Sequence, residues 1–181
     1  SIASFLSEPV QVEEIYVYMQ TNYGTSVTPF YTTLALWVGG IVLVALMKVK
    51  VDYEDDEFKD ATEHQKYMGR ALLFLAMGQL QALVVVLGDL YILKIDCTHP
   101  FMLWLAAAIT SFVFTLFIYT LVLTFGDLGK AIAVVMIVLQ IAGSGGTYPI
   151  ELLPEFFQNV YLYFPFPYAI NAMREAISGL Y

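Results

Sequence analysis

Charged residues are scarce in this sequence. They make up 13% of its 181 residues, whereas soluble domains carry about 25%. Hydrophobic residues account for 59% of the chain, and the mean hydropathy is +0.71. A water-soluble domain needs more polar surface than this composition provides. The composition therefore excludes an ordinary soluble protein and predicts an integral membrane protein.

Basic residues and cysteines are also few, and each shortage excludes a class of protein. Eight Lys and Arg residues against sixteen Asp and Glu residues give a formal net charge of −8. We therefore expect no nucleic acid among the partners, because binding phosphates requires basic residues. The single cysteine, Cys97, excludes a disulfide within the chain.

The sequence lacks motifs that would carry chemistry. The segment Gly126–Lys130 does not have the spacing of a phosphate-binding loop. Asp96, Cys97 and His99 share one short turn, and adjacent ligands of this kind rarely close a tetrahedral metal site. We therefore predict no catalytic residues, no metal and no cofactor, and a protein that is not an enzyme.

Apolar runs predict about four transmembrane helices. The first run, 30–47, has no charged residue and as a helix would span roughly 27 Å, close to the ~30 Å hydrocarbon core. The expected helices are about 30–48, 71–93, 101–125 and 131–146, with 1–29 as the end of an extracellular domain and 49–70 as a cytoplasmic loop. Asp127 is expected to cap the fourth helix. The predicted fold class is all-α integral membrane.

The basic residues also predict the orientation. The segment 48–70 holds five of the eight Lys and Arg residues, and such residues are enriched on the cytoplasmic side of membranes. Placing this segment inside also places Lys130 inside and leaves Lys94 and Arg174 outside. Residues 1–29 and 143–170 are then extracellular in a multi-pass plasma-membrane protein.

The stretch GSGGTYPIELLPE (143–155) interrupts the apolar pattern with three glycines and two prolines. Backbone polar groups cannot be left bare in lipid, so 151–181 is predicted to form a re-entrant or interfacial helical hairpin on the outer face. We expect a short helix from about Pro154 to Tyr163, a corner at Pro165–Pro167, and another helix from about Tyr168. An ordinary apolar extracellular loop is the alternative. The candidate hairpin residues are Gly143, Gly145, Gly146, Pro149, Pro154, Pro165 and Pro167.

Two stretches resemble a known family. GGTYPIELLPEFFQNVYLYFPFPYAINAMREAISG (145–179) is similar to the region near the end of type-2 ABC exporter permeases, where a broken helix pair precedes the last membrane helix. YGTSVTPFYTTLALWVGG (23–40) narrows the resemblance to the phage infection protein (Pip/YhgE-like) family. The resemblance covers essentially the whole chain. It implies a C-terminal fragment that follows a membrane helix and a large extracellular domain, with the final membrane helix beginning after Tyr181.

The family resemblance also implies functions and partners. It implies a cell-surface anchor and phage receptor that acts as a homodimer and meets a phage tail protein. The alternative is the membrane subunit of an ABC-type exporter, or a type VII secretion accessory protein, working with a separate ATPase. In type-2 ABC permeases, the loop equivalent to 52–66 holds a coupling helix that contacts the ATPase. The candidate coupling residues, spaced three and four apart, are Phe58, Ala61, Gln65 and Met68. A solvated acidic linker is the other reading of this loop.

Four polar residues interrupt the predicted membrane helices. Asp89 is expected about one turn from the outer end of its helix, where a carboxylate can meet headgroups and water. The alternative is that Asp89 serves a proton or substrate path. A carboxylate within a membrane is costly to bury, so its presence there suggests a function. Gln79, Gln81 and Gln140 are expected to form hydrogen bonds between helices.

Overall fold

A computed structural model describes residues 23–50, 61–144 and 152–179, and its regular elements in these ranges are all helices. The prediction of an all-α membrane protein is confirmed for this part of the chain. The helices are α1 (Tyr23–Leu46), α2 (Glu63–Leu87), α3 (Pro100–Phe125), α4 (Asp127–Gly143), α5 (Glu155–Val160) and α6 (Pro165–Ser178). A π-helical turn, Gly88–Ile92, continues α2, and a 3-10 turn, Tyr161–Tyr163, follows α5.

Three of these helices are long and apolar enough to cross a membrane. They are α1 with 24 residues, α2 with its π-helical turn, 30 residues in all, and α3 with 26 residues. At 1.5 Å per residue each exceeds the ~30 Å hydrocarbon core. α4 has 17 residues and would reach about 26 Å. α3 packs against α1, α2, α4 and α6, so it is the central helix of the bundle.

α1 begins at Tyr23, earlier than the expected start at residue 30. In the structure, Thr28 Oγ1 donates to the Gly24 carbonyl at 2.8 Å, and Thr33 Oγ1 donates to the Pro29 carbonyl at 2.8 Å. Because these hydroxyls bond to the helix's own carbonyls, the threonines can lie buried in the bundle.

α2 also begins earlier than expected, at Glu63 and not near residue 71. A capping box explains the start: Thr62 Oγ1 accepts from the Gln65 amide at 3.3 Å, and Gln65 Oε1 accepts from the Thr62 amide at 2.9 Å. Two amides that the helix leaves without partners are thereby bonded. The last part of the predicted 49–70 loop is therefore helical.

The junction between α3 and α4 corrects the expectation that Asp127 caps the fourth helix. Gly126 is the cap residue, with a φ of +62° that favours glycine, and Asp127 already lies in the first turn of α4. The Asp127 carboxylate instead pairs with Lys130 Nζ at 3.0 Å. One glycine thus suffices to end α3 and begin α4, which runs over 127–143 where 131–146 had been expected.

The two prolines of the expected corner start the last helix. Pro165 is at the first helical position of α6, and Pro167 lies in the same turn. The first turn has no intrahelical acceptor for its amides, so proline fits there without losing a hydrogen bond. α6 therefore begins three residues before the expected Tyr168, whereas α5 and its 3-10 turn end at Tyr163 as predicted.

An aromatic cluster at the centre of the bundle joins four helices. Trp37 of α1 is fully buried and meets Phe114 of α3 edge-on, with ring centroids 4.9 Å apart. Phe166 of α6 lies 5.7 Å from Trp37 and stacks on Phe114 at 5.5 Å. The Trp37 indole Nε1 donates to the Ala133 carbonyl of α4 at 3.1 Å. α6 is therefore built into the helical core.

Candidate functional site

Asp89 lies in the π-helical turn that ends α2, and such turns are frequent at functional sites. Its side chain is buried, with 7% of the residue exposed. Thr32 Oγ1 of α1 donates to Asp89 Oδ2 at 2.6 Å, which offsets part of the cost of burying the carboxylate. Asp89 thus lies within the last turn before the helical segment ends at Ile92, and its side chain points against α1.

A cavity of about 350 Å³ adjoins this carboxylate, between α1 and the end of α2. We call it the Asp89 cavity. Its apolar walls come from small and aliphatic residues of both helices, and its polar groups are the Asp89 carboxylate, the hydroxyls of Thr28 and Thr32, and Tyr31. The residues that line it are Gly24, Val27, Thr28, Tyr31, Thr32, Ala35, Val85, Asp89 and Leu93. A carboxylate in such surroundings can take up a proton or hold a cation.

A second cavity continues along the same two helices. It measures about 280 Å³ and shares Ala35 and Val85 with the Asp89 cavity. Gln81 lines it and donates from Nε2 to the Gly39 carbonyl of α1 at 3.4 Å. The two cavities together form a groove between α1 and α2 whose polar groups lie within an otherwise apolar surface.

The other two glutamines have different surroundings. Gln79 of α2 donates from Nε2 to the Ala108 carbonyl of α3 at 3.0 Å, which is a hydrogen bond between helices. Gln140 of α4 is fully buried. In the described part of the chain, neither its Nε2 nor its Oε1 has a hydrogen-bond partner. A buried amide without partners destabilises a fold, so Gln140 is not explained by interhelical hydrogen bonding in this structure.

The candidate coupling residues lie around the start of α2. Phe58 is outside the described residues. Gln65 takes part in the capping box, Ala61 precedes the cap, and Met68 is 49% exposed. The exposed Met68 side chain is therefore the apolar group of this set that the structure leaves available to a partner.

The candidate hairpin is described on both sides of a gap. Gly145, Gly146 and Pro149 lie outside the described residues, and Pro154 precedes α5. A Cβ atom added to Gly143 would lie 2.8 Å from the Phe157 ring. The glycine at the end of α4 thus allows α5 to approach closely.

The turn between α2 and α3 forms hydrogen bonds with the end of α6. The amides of Thr98 and His99 donate to the carbonyls of Ile177 and Ala176 at 2.9 and 3.0 Å. Cys97 Sγ donates to the Ala176 carbonyl at 3.6 Å, and burial raises the pKa of the Cys97 thiol. Within the described ranges, no three His, Cys, Asp or Glu side chains gather in a way that could hold a metal ion.

The sequence alone did not reveal the hydrogen-bond partners of Asp89 and Trp37. Thr32 and Asp89 are 57 positions apart, and Trp37 bonds to a carbonyl 96 positions away. Thr32 sits in an apolar run, and a polar residue there signals only that a partner is needed. Pairing of α1 with α2 was required to identify that partner.

Comparisons with known proteins match this chain to a transporter family. The model of the ABC-2 family transporter proteins matches residues 61–181. YhgE of Bacillus subtilis (strain 168), whose name describes it as uncharacterized, is 31% identical over 173 residues. The match covers 96% of this chain and 22% of YhgE, so the chain spans less than a quarter of that relative. No solved structure matches the chain.

These matches confirm the resemblance predicted from the sequence. Together with three helices that are long and apolar enough to cross a membrane, they support a multi-pass plasma-membrane protein. The family consists of transporter components and is not a catalytic family. The chain belongs to the ABC-2 family of transporter membrane proteins.

Proposed function

We propose that this chain is the membrane-spanning part of an ABC-type exporter that works with a separate ATPase. The observation that carries the proposal is the family match over residues 61–181. That match covers α2 to α6, which include the central helix α3 and the helix α6 that packs in the core. No phosphate-binding loop is recognisable in these 181 residues, and we assign ATP hydrolysis to a separate ATPase subunit.

The ends of the helices support an orientation for this subunit. The end of α1 and the junction of α3 with α4 line one cavity of about 350 Å³, which includes Lys48, Lys50 and Lys130. Basic residues favour the cytoplasmic side. We therefore place this end of the bundle, with the start of α2, in the cytoplasm, and the Asp89 cavity near the outer face.

The ATPase would then meet the loop that leads into α2. Met68 is an exposed apolar side chain one turn beyond the capped start of that helix. Leu128 of α4 is also exposed, at 62%, and lies in the first turn of α4, at the same end of the bundle. These two residues allow a matched comparison, because each substitution places one acid on an exposed apolar position.

The test is co-purification of the full-length protein from its native membranes in mild detergent. We expect a nucleotide-binding subunit, identified by its phosphate-binding loop, to accompany the protein and its Leu128→Asp variant. The Met68→Asp variant should lose most of that subunit, since a charge in an apolar contact must be desolvated. Equal recovery with both variants would exclude the α2 entrance as the contact, and absence of the subunit from the unmodified protein would contradict the exporter proposal.

The second candidate, which the sequence ranked first, is a cell-surface anchor and phage receptor. The observation that favours it is the likeness of 23–40 and 145–179 to the phage infection protein family. Because the chain spans 22% of YhgE, the receptor surface would lie in the remainder of the full-length protein. Phage adsorption to cells that retain this membrane region but lack the extracellular part should fall to background, and unchanged adsorption would contradict the receptor role.

Two further proposals follow from the same resemblance. The protein acts as a homodimer, and in the narrower form of the exporter proposal it is an accessory protein of type VII secretion. Cross-linking of two differently tagged copies in native membranes would support the dimer, and exclusive monomers would refute it. A secretion defect in a deletion strain, with unchanged small-molecule efflux, would support the accessory role.

A further inference from the structure

We propose that the Asp89 cavity binds organic ammonium groups. Asp89 is a buried carboxylate, 7% exposed, and the Thr32 hydroxyl donates to one of its oxygens. Within residues 23–50, 61–144 and 152–179, no basic side chain forms an ion pair with it. A buried charge without a counter-ion is costly, so a cationic group entering the cavity would balance the charge of this site.

The walls of the cavity fit an organic cation. Its volume of about 350 Å³ is at the lower end of the range for small-molecule sites, about 300 to 1,000 Å³. Val27, Val85 and Leu93 provide aliphatic surface for alkyl groups. Tyr31 also lines the cavity, and an aromatic face attracts ammonium groups by a cation–π interaction. The cavity therefore suits an ammonium ion with alkyl or aryl substituents, because it combines a carboxylate, an aromatic ring and apolar walls.

The same donor set does not suit a bare metal ion. Calcium and magnesium require about six oxygen ligands, and the side chains that line the cavity offer one carboxylate, two threonine hydroxyls and the Tyr31 hydroxyl. The Thr32 hydroxyl donates to Asp89, and the Thr28 hydroxyl donates to the Gly24 carbonyl. These side-chain oxygens do not complete a shell of six by themselves, and the apolar surface around them favours an ammonium group whose charge is spread over its alkyl substituents.

The backbone at Asp89 adds a separate argument for a site. The π-helical turn Gly88–Ile92 closes with the Leu93 amide donating to the Gly88 carbonyl at 2.9 Å. π-helical turns are uncommon and are often found at functional sites. Gly88 has open space where a Cβ would lie, so its lack of a side chain is not explained by helix packing.

The ligand test uses phenyltrimethylammonium and its neutral analogue tert-butylbenzene. The full-length protein is reconstituted in nanodiscs of phosphatidylglycerol, which contain no lipid amine, and binding is followed by saturation-transfer NMR. We expect saturable binding of the cation and much weaker binding of the neutral analogue. This experiment needs no ATPase, so its failure is distinguishable from failure of the exporter proposal.

Three variants locate the binding. Asp89→Asn should weaken binding of the cation by roughly tenfold to a hundredfold, since a charged hydrogen-bonding partner is lost. Tyr31→Leu replaces a half-exposed ring and should weaken it by about threefold to tenfold. Asp127→Asn removes an exposed carboxylate outside the cavity and should leave it unchanged. If Asp89→Asn does not fold, Tyr31→Leu decides alone, and unchanged binding of the cation by that variant then overturns the proposal.

Lipid composition distinguishes two sources of the ammonium group. Nanodiscs that contain phosphatidylethanolamine should lower the apparent affinity for phenyltrimethylammonium if a lipid headgroup is the natural occupant. An unchanged affinity would indicate a free ammonium compound. The proposal is overturned if the cation does not bind, if the neutral analogue binds equally well, or if Asp89→Asn and Tyr31→Leu both bind like the unmodified protein.

Discussion

Gly78 lies at a close contact between α2 and α3, and a substitution there gives a sharp test of how these helices pack. A Cβ atom on Gly78 would lie 2.5 Å from Thr115 Oγ1 and 3.2 Å from Ser111 Oγ. Ser111 Oγ also donates to the Gly78 carbonyl at 2.7 Å. Gly69 lies on the same helix with no atom within 4 Å of such a Cβ. The variants Gly78→Ala and Gly69→Ala therefore differ in packing and share the same chemical change.

The expected loss of stability follows from three terms. Overpacking of a close helix contact costs about 1–3 kcal/mol, and loss of an interhelical hydrogen bond in a membrane costs about 0.6–2 kcal/mol. Alanine is preferred over glycine in a helix by about 1 kcal/mol. We therefore expect Gly78→Ala to lower the free energy of unfolding by about 1–4 kcal/mol, and Gly69→Ala to leave it unchanged or raise it by up to about 1 kcal/mol.

The assay is unfolding of the full-length protein in mixed micelles of mild detergent and SDS, followed by circular dichroism. The Thr115→Ala background provides a second comparison, since it removes the nearest contacting atom and should reduce the cost of Gly78→Ala. Equal stability of Gly78→Ala and Gly69→Ala would refute the close packing of α2 against α3. A cost that is the same with and without Thr115 would show that Thr115 is not the contact.

Three other substitutions test other parts of the account by the same unfolding measurement. Gln140→Leu should be neutral or stabilising by up to about 1–3 kcal/mol, since it removes a buried amide that lacks partners within the described residues; a loss above about 1 kcal/mol would reveal a hydrogen bond of Gln140. Gly143→Val should destabilise by about 1–3 kcal/mol because its side chain meets Phe157, and a neutral effect would mean that α5 does not pack there. Thr62→Ala should cost about 1 kcal/mol through loss of the helix cap, whereas no loss would show that the capping box contributes little.

Helices bounded by strong local signals were predictable from the sequence. α3 was expected at 101–125 and runs over Pro100–Phe125, because proline suits its first turn and Gly126 ends it. The starts of α1 and α2 were less predictable. Their first turns contain polar residues, and the hydrogen bonds that make those residues compatible with a helix involve side chains bonding to nearby backbone groups.

The candidate site depended on contacts that a linear pattern does not contain. The sequence singled out Asp89 as a costly residue, but its burial and its partner Thr32 arise from the packing of α1 against the π-helical turn. Helical periodicity indicates which face of a helix is apolar. It does not indicate which helix covers that face, so the Asp89 cavity appears only in the folded bundle.

The most direct test of the exporter account is native mass spectrometry of the full-length protein, released from its own membranes in mild detergent. The account predicts a complex in which two copies of this protein are joined by two nucleotide-binding subunits, and ATP hydrolysis by the purified complex. A protein that is released consistently without any nucleotide-binding subunit, and that shows no ATP hydrolysis, would contradict the central claim.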